Sequence, residues 1–315
     1  MKAALLITLL AFSLTYSSAT ELNTPTGLAL AANGDLWVGS KNSLEKFVAE
    51  SLKPGSQPQS ALSIKAIEQS LNLPGVLRFD GAGNLWAANY FANTLVKYTP
   101  SQLEQSGAPV PGITIKSSSL QEPNAFVFDQ NGGMWVASSC INALLYFNAN
   151  QLVQGGTLTP SKTIEATQGS LNSPAGLGFD SIGGLWVSNY SANTLVRYTS
   201  AQLEQAGAVT PQITIQAQKS SLAGAGLMAF DATDNLWVSN FDSSTLVQFT
   251  PKQLEASGKP IPNVIISGNM VNPNQILPTA DGGLWVSSSG SNNVLRYSVE
   301  KLKTSGSPTP DLILR

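Results

Sequence analysis

Residues 174–198 read PAGLGFDSIGGLWVSNYSANTLVRY. An apolar run ends at Phe179-Asp180, a second surrounds Trp186, and a third ends at Tyr198. Asp, Asn and Gly stand between the runs. They supply the local backbone bonds and positive φ that tight turns need, so the stretch predicts three short strands joined by two turns. The pattern recurs along the whole chain. Its six tryptophans, Trp37, Trp86, Trp135, Trp186, Trp237 and Trp285, stand 49, 49, 51, 51 and 48 residues apart. A period in this range predicts the blades of a propeller.

A fourth strand follows, of the type at residues 113–115 and 213–215. Before it come TPSQLEQSG at residues 99–107 and TPKQLEASG at 250–258. Thr suits an N-cap, Pro100 and Pro251 suit the first helical position, and Gly107 and Gly258 suit a helix stop. A short helix is therefore expected between the third and fourth strands of most blades, on the face that carries the first turn. The fold class expected is all-β, a six-bladed propeller of four-stranded antiparallel blades. One blade cannot bury both its faces, so residues 20–315 are expected to form a single domain. The chain ends with a complete blade, so blades one and six should meet without a shared strand.

Repeated polar residues have structural readings. Asp80, Asp129, Asp180 and Asp231 each stand six residues before a tryptophan. Each is a lone acid in a turn, whereas a calcium loop gathers several oxygen ligands in one segment. Asn93, Asn142, Asn193 and Asn292 precede the third strand and are expected to adopt the left-handed region and bond their own backbone. The six Trp rings are expected in the layers between blades.

Lys2, the apolar run to Leu14, and the small residues Ser17 and Ala19 read as a signal peptide over residues 1–19. The expected location is secreted or periplasmic, and no apolar run is long enough for an integral membrane segment. Cys140 is the only cysteine and the chain has no histidine. Only 11% of residues are charged, 17 basic against 19 acidic, and no basic patch occurs. Nucleic acid is therefore not expected as a partner.

The pattern P-x-G-L-x-F-D-x-x-G-N-L-W-V-x-N…N-T-L-x-x-Y resembles the NHL repeat and the repeats of the streptogramin lyase family, from Leu22 to the C-terminus. The resemblance implies the fold; function varies widely among such propellers. It implies a histidine base and a magnesium site for the lyases, and histidine-held zinc for the peptide-amidating lyases. A chain without histidine has no residue to match either. The gluconolactonase group implies a divalent metal held by Glu, Asn and Asp. The regular positions here offer Asn89, Asn189 and Asn240, with Asp242 nearby, and no recurrent glutamate.

The irregular chemistry lies in the corners between the second and third strands, NYFAN at 89–93, NYSAN at 189–193 and NFDSS at 240–244. Aromatic rings beside amides suit a sugar or a peptide. The candidate ligand-binding residues are Asn89, Tyr90, Phe91, Asn189, Tyr190, Asn240, Phe241 and Asp242. No catalytic residue, metal ligand or cofactor is expected. The function expected is a non-catalytic binding module for a protein or glycan. The alternatives are a metal-dependent lactonase or hydrolase of the gluconolactonase type and a structural component of the envelope or matrix.

Overall fold

A computed structural model describes residues 21–216, 218 and 221–315. The expected signal peptide lies outside the described residues. Six antiparallel sheets follow one another along the chain, each with its strands in sequence order. In blade four these are Pro174–Phe179, Leu185–Asn189, Thr194–Tyr198 and Ile213–Gln216. Blade one begins at Pro25–Leu30 and ends at Leu62–Lys65. Blade six runs from Pro273–Pro278 to Leu312–Leu314 as a complete sheet of its own. The ring therefore closes without a shared strand, as expected.

Every second strand is buried along its whole length, because neighbouring blades cover both faces. All six tryptophans are buried, none more than 4% exposed. Their indole N–H groups explain the turn acids. Trp86, Trp186 and Trp237 donate Nε1–H to Asp80, Asp180 and Asp231 at 2.9, 3.0 and 3.1 Å. The other oxygen of each acid takes backbone amides of its own turn. Lys46, Lys97 and Arg296 lie over the rings of Trp37, Trp86 and Trp285 at 5.9, 5.4 and 5.8 Å. The acids are thus structural.

Partial burial pushes the Asp80, Asp180 and Asp231 carboxyls up, but the hydrogen bonds outweigh it and hold all three below the usual carboxylate range. A depressed folded value stabilises the fold above the unfolded pKa of about 3.9, and that contribution is lost as pH falls through the folded values. The melting temperature should therefore hold between pH 7 and about 5 and drop steeply below about 4. Calorimetric scans across this range check it; a decline already complete by pH 5 would contradict it.

Short helices do connect the third and fourth strands, as at Pro100–Leu103, Ala149–Gln154 and Pro251–Leu254. Thr99 and Thr250 build capping boxes with Gln102 and Gln253. Gly107 and Gly258, expected as helix stops, do something else. The helices end at Leu103 and Leu254, and the glycines form parallel bridges to Ile64 and Ile215 of the preceding blade. Gly156, Gly207 and Gly306 pair in the same way with Ile115, Ile164 and Ile266. Each loop so covers an outer edge that would otherwise leave backbone groups unpaired.

The corner asparagines are left-handed as expected, but they bond forward rather than to themselves. Asn93, Asn142 and Asn193 Oδ1 accept the backbone N–H of Glu122, Ser173 and Gly224, each at 2.7 Å. Each donor sits just before the first strand of the next blade. Asn292 Oδ1 accepts from Thr24 at 2.9 Å and so latches blade six to blade one. Ser287 Oγ adds a bond to the Thr26 carbonyl, and Gly55 N–H donates to the Asp311 carbonyl at 3.2 Å. Leu28, Val38, Phe47, Trp285, Leu312 and Leu314 pack together at this seam.

Candidate functional site

The first strand of each blade lies innermost, and a register shift follows its opening residue. The second residue of each, Thr26, Gly75, Asn124, Ala175, Gly226 and Asn274, reaches one central cup of about 410 Å³. Four of the six are small or short, and the space they leave forms the cup. Asn124 and Asn274 belong to blades three and six, which stand opposite in a ring of six. Asn274 is committed to the Asn272 carbonyl and Ser289 Oγ. The Asn124 amide has no hydrogen-bond partner among the described residues and is free for a ligand. One position deeper, Gln275 Oε1 accepts the N–H of Leu28 at 2.7 Å and of Leu77 at 3.3 Å. That side chain ties blade six to blades one and two beneath the cup.

The wall carries Tyr90, Tyr190, Phe241 and Glu122. Among the described residues Glu122 is its only carboxylate, and no lysine or arginine lines it. Glu122 sits at φ 51°, its N–H held by Asn93, and its Oε2 accepts the Tyr90 hydroxyl at 3.0 Å. Its Oε1 takes no bond from the described protein. The Tyr190 hydroxyl donates to Asp242 Oδ1 at 2.7 Å, and its ring stands edge-on to Phe241 at 6.2 Å. Burial, then the bond to Glu122, pushes Tyr90 up to about 12. The bond to Asp242, then burial, does the same for Tyr190, also to about 12. Both phenols therefore keep their protons at neutral pH, which leaves Glu122 as the wall group suited to accept one.

Tyr90, Tyr190 and Phe241 line the cup, and the other candidates do not. Asn89, Asn189 and Asn240 are buried and at most 1% exposed. Their amides brace the loop entering the first strand, on the carbonyls of Ser70, Ser170 and Ser221 and the N–H groups of Asn72, Asn172 and Ala223. The same residue is Ser40, Ser138 or Ser288 in the other blades and makes equivalent bonds. These asparagines are loop braces, which corrects their assignment to a ligand. Phe91 is 62% exposed, packed edge-on against Tyr90 outside the cup. Asp242 is exposed and accepts the Tyr190 hydroxyl without lining the cup itself. Glu122 and Asn124 went unnoticed in the sequence. The signal was present: aligned blade by blade, Glu122 falls in a column with Thr24, Leu73, Ser173, Gly224 and Asn272, as its one charged member.

A larger cavity, about 610 Å³, lies on the opposite face between blades three and four. Its charged groups are already paired: Asp129 with the Tyr146 hydroxyl at 2.8 Å, Lys162 with Glu204 at 2.6 Å, and Asp180 with Arg197. The cup, with an unpaired carboxylate oxygen and an unpaired amide, is the better candidate. For the divalent ion of the gluconolactonase type the residues do not fit. Among the described residues no three His, Cys, Asp or Glu side chains come together to hold an ion, and the cup offers one carboxylate. Hard divalent cations take six to eight oxygens in calcium sites, several of them charged.

No known protein family matches the chain, and no curated protein is similar to it in sequence. Solved structures are similar in shape. A catalytically inactive histidine-to-alanine virginiamycin B lyase from Staphylococcus aureus, with quinupristin, aligns over 89% of this chain and 85% of its own at 15% identity and TM-score 0.56. A streptogramin B lyase aligns over 89% and 81%, at 15% identity and TM-score 0.57. The PQQ-bound aldose sugar dehydrogenase of Streptomyces coelicolor aligns over 87% and 90%, at 17% identity and TM-score 0.57. The chain is a six-bladed propeller structurally related to streptogramin-lyase-type propellers, as the repeat resemblance implied. These similar structures are enzymes rather than passive modules. That corrects the expectation of a non-catalytic binding module for a protein or glycan, and with it the expectation that the chain is no enzyme. Among the described residues no helix is long and apolar enough to cross a membrane.

Proposed function

We propose that this propeller is an enzyme that hydrolyses a small ester or lactone in the central cup, with Glu122 as its general base. The observation that carries the reading is Glu122 itself, the lone carboxylate of the wall, with Oε1 free and Oε2 steadied by Tyr90. Oε1 takes a proton from a water as that water attacks the substrate carbonyl carbon. The Asn124 amide donates a hydrogen bond to the oxygen on which negative charge develops. When the tetrahedral species collapses, the C–O bond to the leaving group breaks and the alkoxide recovers the proton from Glu122. No step runs through a metal. The similar lyases depend on a histidine, as the inactive variant shows, and this chain has none. Its base must be of another kind, and a carboxylate is what the cup supplies.

The test is a panel of nitrophenyl esters and aliphatic lactones assayed with the purified chain. Glu122→Gln should lower turnover by about 10²–10⁴-fold while the melting temperature stays within a few degrees. Unchanged turnover in that variant, or no turnover of any panel member, would overturn the reading. We also propose that the domain of residues 20–315 is exported after cleavage of residues 1–19. N-terminal sequencing of exported material should begin near Thr20, and a retained Met1 would refute it.

A further inference from the structure

We infer that the cup selects a substrate bearing an organic cation, an ammonium group joined to an apolar body. The inference rests on the reading of the cup as the substrate site and names the class of molecule it takes. Among the described residues no lysine or arginine lines the cup, whose one formal charge is the Glu122 carboxylate. The chain spends its cations elsewhere. Lys46, Lys97 and Arg296 lie over tryptophans between blades, and Arg197 pairs with Asp180. Arg78, lower on blade two, donates to the Phe126 carbonyl at 2.9 Å and takes no part in the wall.

Three rings share that wall with the carboxylate. Tyr190 and Phe241 meet edge to face, and Tyr90 stands beside Glu122. Aromatic faces attract cations, the more so where water is excluded. Both tyrosine hydroxyls give their protons to carboxylates, Glu122 and Asp242, so each phenol oxygen turns its lone pairs rather than a proton outward. An ammonium can therefore lie against the ring faces within the field of the Glu122 charge, with Oε1 left to the attacking water. A carboxylate or phosphate ligand would meet negative charge with no cation to offset it. A cup of about 410 Å³ lies within the ordinary range for sites of small molecules.

Calorimetric titration of the full chain at pH 7 with phenethylammonium, 2-phenylethanol and phenylacetate separates the possibilities. The ammonium should bind at least about tenfold more tightly than the alcohol, and phenylacetate should not bind measurably. Glu122→Gln and Tyr190→Leu should each weaken ammonium binding by about fivefold or more, with little change in binding of the alcohol for Glu122→Gln. Equal affinity for the ammonium and the alcohol, tighter binding of phenylacetate, or no effect of either substitution would overturn the inference. The two readings fail separately. Turnover of neutral esters that depends on Glu122, without discrimination for the ammonium, would sink the cation class and leave the enzyme. Ammonium binding that depends on Glu122, without turnover of any ester, would do the reverse.

Discussion

Removal of residues 311–315 is expected to abolish cooperative folding at 25 °C. Leu312 and Leu314 of the last strand are 4% and 0% exposed and belong to the core that joins blade six to blade one. Losing two buried leucines costs on the order of 2–5 kcal/mol each. The same cut deletes the ladder that pairs residues 312–314 with 294–296. It also removes Asp311, which accepts the Ser298 N–H at 2.7 Å and pairs with Lys301 at 2.8 Å. Whole domains are stable by only about 5–15 kcal/mol. No strand is shared between the first and last blades, and the bonds that remain at the seam, from Asn292 to Thr24, Ser287 to Thr26 and Gln275 to Leu28, do not replace a lost strand and two buried leucines. Circular dichroism and tryptophan fluorescence of the truncated chain should show no sharp thermal transition. A melt within a few degrees of the full chain would show that the last strand does not hold the ring shut.

Trp186→Ala is expected to lower stability by about 3–5 kcal/mol, the ordinary cost of emptying a packed aromatic site. Trp186 is 1% exposed and belongs to a buried cluster with Ala225, Met228, Leu236 and Val238 of the next blade, so the cavity opens in the core between blades. In a chain of this size that amounts to roughly 5–8 °C in melting temperature. Trp186→Phe should cost less, about 1–3 kcal/mol, because most of the ring area remains and the chief loss is the hydrogen bond to Asp180. Asp180 would still hold Arg197 and the amide of Gly184. Thermal denaturation of the two variants checks the order. Equal losses would mean that the indole hydrogen bond, rather than packing, carries the interaction.

Blade count, strand order and burial of the six tryptophans were legible because each is written locally. The Trp period marks the unit, Asp and Gly mark its turns, and the Thr-Pro-x-Gln segments mark its helices. Readings went astray where a residue's partner lies in another blade. Asn93 has the left-handed backbone expected of it, yet its side chain holds Glu122 of the following blade. Gly107 lies beyond its helix and pairs with Ile64 of the preceding blade. Backbone conformation depends on near neighbours in sequence, whereas the destination of a hydrogen bond depends on how the blades stack.

The candidate site shows the same division more sharply. Tyr90, Tyr190 and Phe241 could be found as rings standing in turns. Asn89, Asn189 and Asn240 beside them could not be told from ligand contacts, because a turn asparagine facing inward to brace a loop is spelled like one facing solvent. By itself the sequence determined a ring of six equivalent four-stranded units, since period and turn chemistry repeat along the chain. Only the tertiary structure decided what stands at the centre. Closing the ring brings one residue from every blade to a single axis, and the register shift at the start of each inner strand decides which residue that is. Glu122 and Asn124 meet Tyr190 and Phe241, many residues away in sequence, only because the ring is closed.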